Sequence, residues 1–132
     1  MKVLLSIKPD FVQEIATGKK KFEYRKRIFK QDVDSVIIYA SRPVGMIVGE
    51  FKVDHIIMKS PRELWEETAK YSGITEEFFF AYFDGRDEAY AIKIKDLCMY
   101  EEPINPYKVF DDFVAPQSYK YVDESHQKLL YA

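Results

Sequence analysis

The sequence has very few residues that could hold a metal ion or form a crosslink. Of its 132 residues one is a cysteine, Cys98, and two are histidines, His55 and His126. A single cysteine cannot form an internal disulfide, and neither histidine stands at a spacing typical of a zinc site. We therefore expect neither a metal nor a cofactor, and the lone cysteine fits a reducing compartment.

Long apolar runs are also absent. The first residues, Met-Lys-Val-Leu-Leu-Ser-Ile-Lys-Pro, form too short an apolar run for a signal peptide. No segment reaches the roughly 20 apolar residues that cross a bilayer. We expect a soluble, cytoplasmic protein with no membrane partner. With 47% hydrophobic and 16% aromatic residues and no linker-like tract, the sequence predicts one folded domain over residues 1–132.

Positive charge is concentrated in one stretch of an acidic chain. From Gly18 to Lys30 there are seven lysines or arginines against the single acid Glu23, a local balance of +6. The rest of the chain has 13 basic and 21 acidic residues, a balance of −8, which gives the formal net charge of −2. A local cationic stretch of this kind predicts one confined site for an anionic ligand.

The elements around this stretch follow from simple patterns. Residues 2–7 are an apolar run typical of a buried strand, and the apolar spacing after Pro9 predicts a short helix. Gly18 is placed to end that helix in a left-handed cap. Residues 22–27 then alternate as a strand, which puts three charged side chains on one face: Glu23, Arg25 and Arg27.

The remaining sequence predicts an α+β fold with a mixed, barrel-like sheet. Helix-start signals stand at Ser60-Pro61 and Thr75-Glu76, so two further helices are expected. Further strands are predicted over residues 33–40, 44–57, 88–95 and 97–100. Residues 103–132 contain prolines and lack periodicity, which indicates an irregular C-terminal extension that packs back on the barrel, with one helical turn near residues 107–110.

Four residues carry the most specific pattern in the chain. Gly18, Lys20, Glu23 and Arg25 satisfy Gly-x-Lys-x-x-Glu-x-Arg, and with this motif the chain resembles the ASCH family, a branch of the PUA-like superfamily. The resemblance extends over most of residues 1 to about 100. It implies a PUA-like mixed β-barrel with two to four short peripheral helices. It also implies an RNA-binding module with a regulatory role in transcription or translation, while a few related small proteins are ribonucleases or hydrolases of modified nucleosides.

The motif residues have distinct chemical abilities. Lys20 supplies a point charge for a phosphate, and Arg25 supplies a planar fork that binds phosphate or stacks on a base. Glu23 can fix both cations or accept a hydrogen bond from a base edge. The alternative is a solvated, charged strand edge.

In an enzyme, the resemblance implies that Lys20 is catalytic, as a base or an oxyanion stabiliser, and the chemistry of a carboxylate makes Glu23 the candidate acid or base beside it. The hydrolase relatives carry threonine at the position of Glu23 and use a separate downstream carboxylate, which argues against an amidohydrolase. Four downstream acids remain candidates for that carboxylate: Glu66, Glu67, Glu76 and Glu77.

Two further segments are candidates for the rim of the cleft. Tyr39, Ser41 and Arg42 follow a buried strand, where loops often border a ligand cleft, although a tight turn with a core tyrosine explains them equally well. Gln117 and Ser118 stand in Pro-Gln-Ser-Tyr, which resembles a motif of some ASCH relatives whose tail folds back toward the cleft. Gln117 could read a base edge, and Ser118 could hold a phosphate or act as a nucleophile if a base lies next to it.

The sequence leaves three functions open. The first is a protein that binds RNA or a nucleotide-like ligand in a cleft formed by the Gly-x-Lys-x-x-Glu-x-Arg motif. The second is a small hydrolase acting on modified nucleosides or on RNA. The third is a regulatory module whose cationic strand binds an acidic protein partner.

Overall fold

Within residues 1–131, the apolar runs form six strands and the helically spaced stretches form five short helices. The structure is a computed structural model and describes residues 1–131. The strands are β1 (Lys2–Ile7), β2 (Phe22–Arg25), β3 (Ser35–Ala40), β4 (Met46–Lys59), β5 (Ala89–Ile104) and β6 (Tyr119–Val122). The helices are α1 (Pro9–Ala16), α2 (Pro61–Thr68), α3 (Glu76–Tyr82), α4 (Pro106–Val109) and α5 (Glu124–Leu130), with a 3-10 turn at Ala69–Tyr71.

All six strands belong to one mixed sheet in the order β2-β5-β4-β3-β1-β6. β1 and β3 are parallel, and the other neighbours are antiparallel. The sheet is curled, so its two edges approach each other: Arg25 at the end of β2 donates to backbone carbonyls of Ser6 in β1 and Ser118 just before β6. The predicted PUA-like α+β barrel is confirmed, with five helices in place of the two to four expected.

The predicted helix boundaries are confirmed by their caps. Gly18 has φ +81° just after α1, the left-handed conformation that glycine adopts without steric cost. The hydroxyl of Ser60 accepts the N–H of Glu63 at the start of α2, and that of Thr75 accepts the N–H of Phe78 at the start of α3. None of the helices in residues 1–131 is long and apolar enough to span a membrane.

Alternation along the strands divides the core into clusters on the two faces of the sheet. Val3, Leu5 and Ile7 of β1 pack on one face, and Leu4 packs on the other. A third cluster joins α2 and α3 to β2 and is built around Phe79, which is completely buried. Each such large apolar side chain contributes roughly 1.5–3 kcal/mol by leaving water. This cluster fixes α3 against the strand that carries the charged motif.

One strand differs from its prediction. The sequence suggested separate strands over residues 88–95 and 97–100, but β5 runs without a break from Ala89 to Ile104. Asp96 adopts φ 50°. Between the paired positions on either side of it, β5 advances by three residues while β4 advances by two. The extra residue is absorbed as a bulge, which interrupts the alternation but not the ladder.

The tail is more regular than its sequence suggests. The predicted helical turn is present as α4, where the N–H of Tyr107 donates to the side-chain oxygen of Asn105. The sequence did not predict β6, which pairs antiparallel with β1, or α5, which Asp123 caps. A four-residue strand shows too little alternation to be recognised, and the pairing that stabilises it is long-range.

Candidate functional site

The charged motif begins in a tight connection between α1 and β2 that points one lysine inward. The backbone N–H groups of Lys19 and Lys20 both donate to the carbonyl of Glu14, at 3.0 Å each, and Lys21 donates to the carbonyl of Tyr71. Lys19 and Lys21 remain exposed, whereas Lys20 is only 2% exposed. The three consecutive lysines therefore have different environments, and one of them is buried in the protein.

Lys20 lies in the wall of a cavity of about 250 Å³. The motif contributes Lys20, Glu23 and Arg25 to its lining. The end of β1 and the start of α1 add Ser6, Ile7, Lys8 and Phe11, the segment around α3 adds Ile74, Phe78 and Tyr82, and the tail adds Gln117. The cavity therefore lies at the seam where the two edges of the curled sheet meet, with one aromatic side and one charged side.

The amine of Lys20 is held without a close counter-ion. Its Nζ donates to the backbone carbonyl of Ser72 at 2.9 Å, while the nearest Glu23 oxygen is 4.0 Å away. The rings of Tyr24 and Phe11 lie at 4.7 and 5.2 Å from Nζ to the ring centroid. Burial lowers the pKa of Lys20 from 10.5 to about 8, although the negative charge of Glu23 acts in the opposite direction.

Glu23 and Arg25 form the second part of the motif. One Glu23 oxygen faces Lys20, and the other accepts from Nη1 of Arg25 at 3.3 Å. Nη1 also approaches the carbonyl of Ser6 at 3.4 Å, and Nη2 donates to the carbonyl of Ser118. Most of the hydrogen-bonding capacity of the guanidinium is therefore used within the protein. These bonds orient Glu23 and connect the tail to β1 and β2.

Gly73 is part of the site, although the sequence alone did not indicate it. Its φ is +66°, and a Cβ built on it would overlap Cβ and Cγ of Lys20. The preceding residue, Ser72, supplies the carbonyl that accepts from Nζ. A glycine ahead of the Thr75 helix cap looks like an ordinary turn in the sequence, which does not show which side chain will pack against it.

The tail reaches the cavity through Gln117. The hydroxyl of Ser6 donates to the carbonyl of Pro116 at 2.7 Å, which fixes the segment immediately before Gln117. Ser118 holds Arg25 through its backbone carbonyl, while the residue itself lines a neighbouring groove. The structure thus places Gln117 in one lining with Lys20, Glu23 and Arg25, and Ser118 directly behind it.

Tyr39, Ser41 and Arg42 do not line this cavity. Tyr39 is 1% exposed and packs on the sheet face of Leu4, where its hydroxyl pairs with that of Tyr107 at 2.8 Å. Burial raises the pKa of Tyr39 to about 12. Arg42 lies over the Tyr107 ring, 5.4 Å from its centroid. The backbone N–H of Ser41 donates to the carbonyl of Ile7, a residue of the cavity lining. Side-chain alternation in β3 directs Tyr39 into the core.

Two more sequence expectations need correction. Arg27 does not share a face with Glu23 and Arg25, because β2 ends at Arg25 and Arg27 lines the neighbouring groove. The four downstream acids considered as carboxylates, Glu66, Glu67, Glu76 and Glu77, are absent from the cavity lining. Two of them, Glu66 and Glu76, line a separate surface depression beside Trp65.

His55, His126 and Cys98 are not among the residues that line the cavity. His55 and His126 each pair with a nearby aspartate, Asp54 at 3.2 Å and Asp123 at 2.8 Å. Within residues 1–131, no group of three or more His, Cys, Asp or Glu side chains is placed to hold a metal ion.

Comparison with known proteins gives a consistent result. The family model for the ASCH domain matches residues 5–115. A Zymomonas mobilis protein named ASCH domain-containing ribonuclease is 30% identical over 135 residues, covering 96% of this chain and 88% of the relative.

Solved structures show the same fold. The crystal structure of ASCH from Zymomonas mobilis superposes with a TM-score of 0.91 at 26% identity, covering 98% of this chain and 93% of that one. The N-terminal domain of Staphylothermus marinus McrB has a TM-score of 0.63 at 12% identity over 98% of this chain and 92% of its own, a likeness of fold alone.

Proposed function

The chain belongs to the ASCH domain family, and from that premise we propose that it binds RNA and cleaves the RNA backbone at the cavity of Lys20. The observation that carries the proposal is the buried amine of Lys20, which has a lowered pKa and no close counter-ion. The amine is buried from water, its hydrogen bond goes to the uncharged carbonyl of Ser72, and the Glu23 carboxylate is 4.0 Å away. Perturbed groups of this kind are typical of catalytic sites.

The lowered pKa makes Lys20 a usable base. With a pKa of about 8, about one amine in ten is neutral at pH 7. At the ordinary lysine pKa of 10.5 the neutral fraction would be about 300-fold smaller. Glu23, 4.0 Å from Nζ, stabilises the ammonium form once it has accepted a proton. Near neutral pH, Lys20 can therefore accept a proton as the free amine and lose it again to return to that form.

The proposed reaction uses the 2′-hydroxyl of RNA as the nucleophile. The neutral amine of Lys20 takes the proton of the 2′-hydroxyl, and the 2′-oxygen forms a bond to the adjacent phosphorus. The bond from phosphorus to the 5′-oxygen breaks, and the leaving 5′-oxygen takes a proton from a water molecule. The hydroxide that remains takes the proton from the Lys20 ammonium, which restores the neutral amine and the water. The products are a 2′,3′-cyclic phosphate and a 5′-hydroxyl end. Lys8, at the exposed edge of the lining, places positive charge where the phosphate would lie.

The size and walls of the cavity favour an unpaired nucleotide. At about 250 Å³ it is slightly smaller than the roughly 300–1,000 Å³ of drug-sized pockets, which suits one nucleoside and not a duplex. Phe11, Phe78 and Tyr82 offer aromatic surface for a base, and Gln117 offers an amide donor and acceptor for a base edge. The relative named a ribonuclease, which is 30% identical across nearly the whole chain, supports the same conclusion.

The proposal is tested with short single-stranded RNA and three proteins. Wild type, Lys20→Met and Lys19→Met are each incubated with a labelled RNA of about 12 nucleotides, and both cleavage and binding are measured. Methionine keeps most of the volume of lysine but cannot act as a base. We expect Lys20→Met to lose roughly 10²- to 10⁴-fold in cleavage rate while still binding RNA. Lys19 is exposed, so Lys19→Met should cleave at the wild-type rate. Equal cleavage by all three proteins would refute the proposal.

The cavity dimensions also favour a second candidate, the hydrolysis of a modified nucleoside. A site that fits one nucleoside could hold an acylated base, with neutral Lys20 activating water. Release of acid from an N-acylated nucleoside, dependent on Lys20 and without RNA cleavage, would favour this activity. RNA binding with no turnover of either substrate would instead support the regulatory role implied by the family resemblance.

A further inference from the structure

A second, larger depression lies directly beside the cavity. It is an open groove of about 1,070 Å³, four times the volume of the cavity. Its lining includes four cations, Lys26, Arg27, Lys30 and Arg86, against two acids, Asp87 and Glu88. These cations come from two segments separated along the chain, the stretch after β2 and the turn after α3. Folding therefore places Arg86 in the same groove as part of the cationic stretch, although the two are far apart in the sequence.

The four cations are available to a ligand. All four are exposed, and none forms an ion pair with an acidic side chain among residues 1–131. Lys26 lies over the ring of Tyr82 at 4.7 Å, which orients the amine without neutralising it. The groove thus carries a positive potential that neighbouring carboxylates reduce only in part.

The walls of the groove are held by the fold. The N–H groups of Lys30 and Gln31 both donate to the hydroxyl of Tyr121 at 3.0 Å, which ties this wall to β6. On the other wall, Gly85 adopts φ +77° and the N–H of Arg86 returns to the carbonyl of Phe83 at 2.9 Å. Both cationic segments therefore have defined backbone positions.

The groove and the cavity share a wall. Arg25 and Gln117 line the cavity, while their immediate neighbours Lys26 and Ser118 line the groove. The hydrogen bond from Arg25 to the carbonyl of Ser118 closes this wall. A nucleic-acid strand that leaves the cavity across this shared wall would pass directly into the groove.

We propose that the groove carries the backbone of single-stranded RNA whose next nucleotide occupies the cavity. This inference rests on the proposed function and extends it from one nucleotide to its neighbours. Lys26, Arg27, Lys30 and Arg86 neutralise successive phosphates, and Tyr90 and Tyr119 in the lining provide aromatic surface for the bases. An unpaired strand fits because the nucleotide at Lys20 must leave any helix to enter the cavity.

The test uses Lys30→Gln/Arg86→Gln and two substrates, a 12-nucleotide single strand and a dinucleotide. For single strands, each lost phosphate contact lowers the slope of log binding constant against log salt by about 0.7. The double variant should therefore lose about 1.4 from that slope and bind the 12-mer about 25-fold more weakly at 0.1 M salt. Dinucleotide cleavage should be unchanged, since the single phosphate of that substrate is the scissile one at the cavity and it offers no phosphate to Lys30 or Arg86.

The matched control is Lys52→Gln/Lys108→Gln, which removes the same charge from exposed lysines that line neither depression. It should behave as wild type. Unchanged 12-mer binding by the groove variant would overturn the groove proposal while leaving dinucleotide cleavage intact. A groove effect on binding without cleavage of either substrate would instead count against the proposed catalysis alone. If the wild type shows no salt-dependent binding of the 12-mer, or binds a duplex equally well, the groove is not a single-strand path, and an acidic protein becomes the better partner.

Discussion

Gly73 packs directly against the side chain of Lys20, so closely that a Cβ at position 73 would overlap two carbons of the lysine. Ser72, the preceding residue, accepts the hydrogen bond from the lysine amine. This short segment therefore determines both the space that Lys20 occupies and the direction of its Nζ. Its importance can be measured with two glycine variants.

Gly73→Ala should displace Lys20 and lower cleavage of a dinucleotide by about 100-fold, because small misplacements of catalytic groups have effects of that size. Gly85→Ala is the matched control: Gly85 also has positive φ, at +77°, but a Cβ there would meet no atom within 4 Å. Both variants place an alanine in the left-handed backbone conformation, which costs roughly 1–2 kcal/mol of stability. Thermal unfolding of the two variants measures this cost. Equal losses of activity in the two variants would show that Gly73 does not position Lys20.

Lys20→Met should be more stable than wild type at pH 7, by about 3 kcal/mol, because the buried ammonium opposes folding. The pKa of Lys20 is about 8 in the folded protein and 10.5 in the unfolded chain, so the unfolded chain binds more protons between these values. Wild-type stability should therefore rise through this window relative to Lys20→Met. Urea unfolding at pH 7 and pH 10 measures the difference in unfolding free energy between the two proteins. That difference should have its whole value at pH 7 and be much smaller at pH 10. A Lys20→Met protein less stable than wild type at pH 7 would mean that Lys20 is a structural residue.

Phe78→Ala should weaken the binding of single-stranded RNA by roughly 1–3 kcal/mol, the usual contribution of a stacking side chain. Phe78 lines the cavity, where its ring contacts Phe11 at 5.2 Å between centroids. Phe80→Ala is the control, since Phe80 is also a half-buried phenylalanine of α3 but packs on Trp65 outside the cavity. Titration of a labelled strand against both variants gives the comparison. If Phe80→Ala weakens binding as much as Phe78→Ala, base stacking in the cavity is not its cause.

Arg25→Gln should loosen the seam of the barrel. Arg25 donates to Glu23, Ser6 and Ser118, so its loss leaves the buried Glu23 carboxylate without its nearer cation and frees the tail. We expect a loss of roughly 2–4 kcal/mol in unfolding free energy and faster hydrogen exchange in β6. Arg27→Gln, an exposed change two residues away, should alter stability by less than about 0.5 kcal/mol. Unchanged exchange in β6 in Arg25→Gln would show that this side chain does not hold the tail.

The sequence predicted those parts of the fold that depend on close neighbours. The caps at Gly18, Ser60 and Thr75 involve residues within a few positions, and all three are confirmed. The mixed barrel-like sheet is also confirmed. These features are local or follow from hydrophobic patterns, so they can be read from one sequence.

The features that the sequence missed depend on distant partners. Gly73 matters because of Lys20, and β6 exists because β1 offers it a free edge. Tyr39 belongs to β3, in which every residue is buried, so alternation could not show which face its side chain occupies. The site therefore needed the three-dimensional structure even though its Lys20, Glu23 and Arg25 were visible as a motif.

If the amine of Lys20 activates a ribose 2′-hydroxyl, cleavage requires both groups, and a substrate with a single 2′-hydroxyl shows whether it does. A DNA strand containing a single ribonucleotide is incubated with excess wild type or Lys20→Met, and the rate and ends of the products are determined. We expect one cut, immediately 3′ of the ribonucleotide, leaving a 2′,3′-cyclic phosphate, with the rate lowered roughly 10²- to 10⁴-fold in Lys20→Met. Cleavage at deoxyribonucleotides, or equal rates for the two proteins, would contradict it.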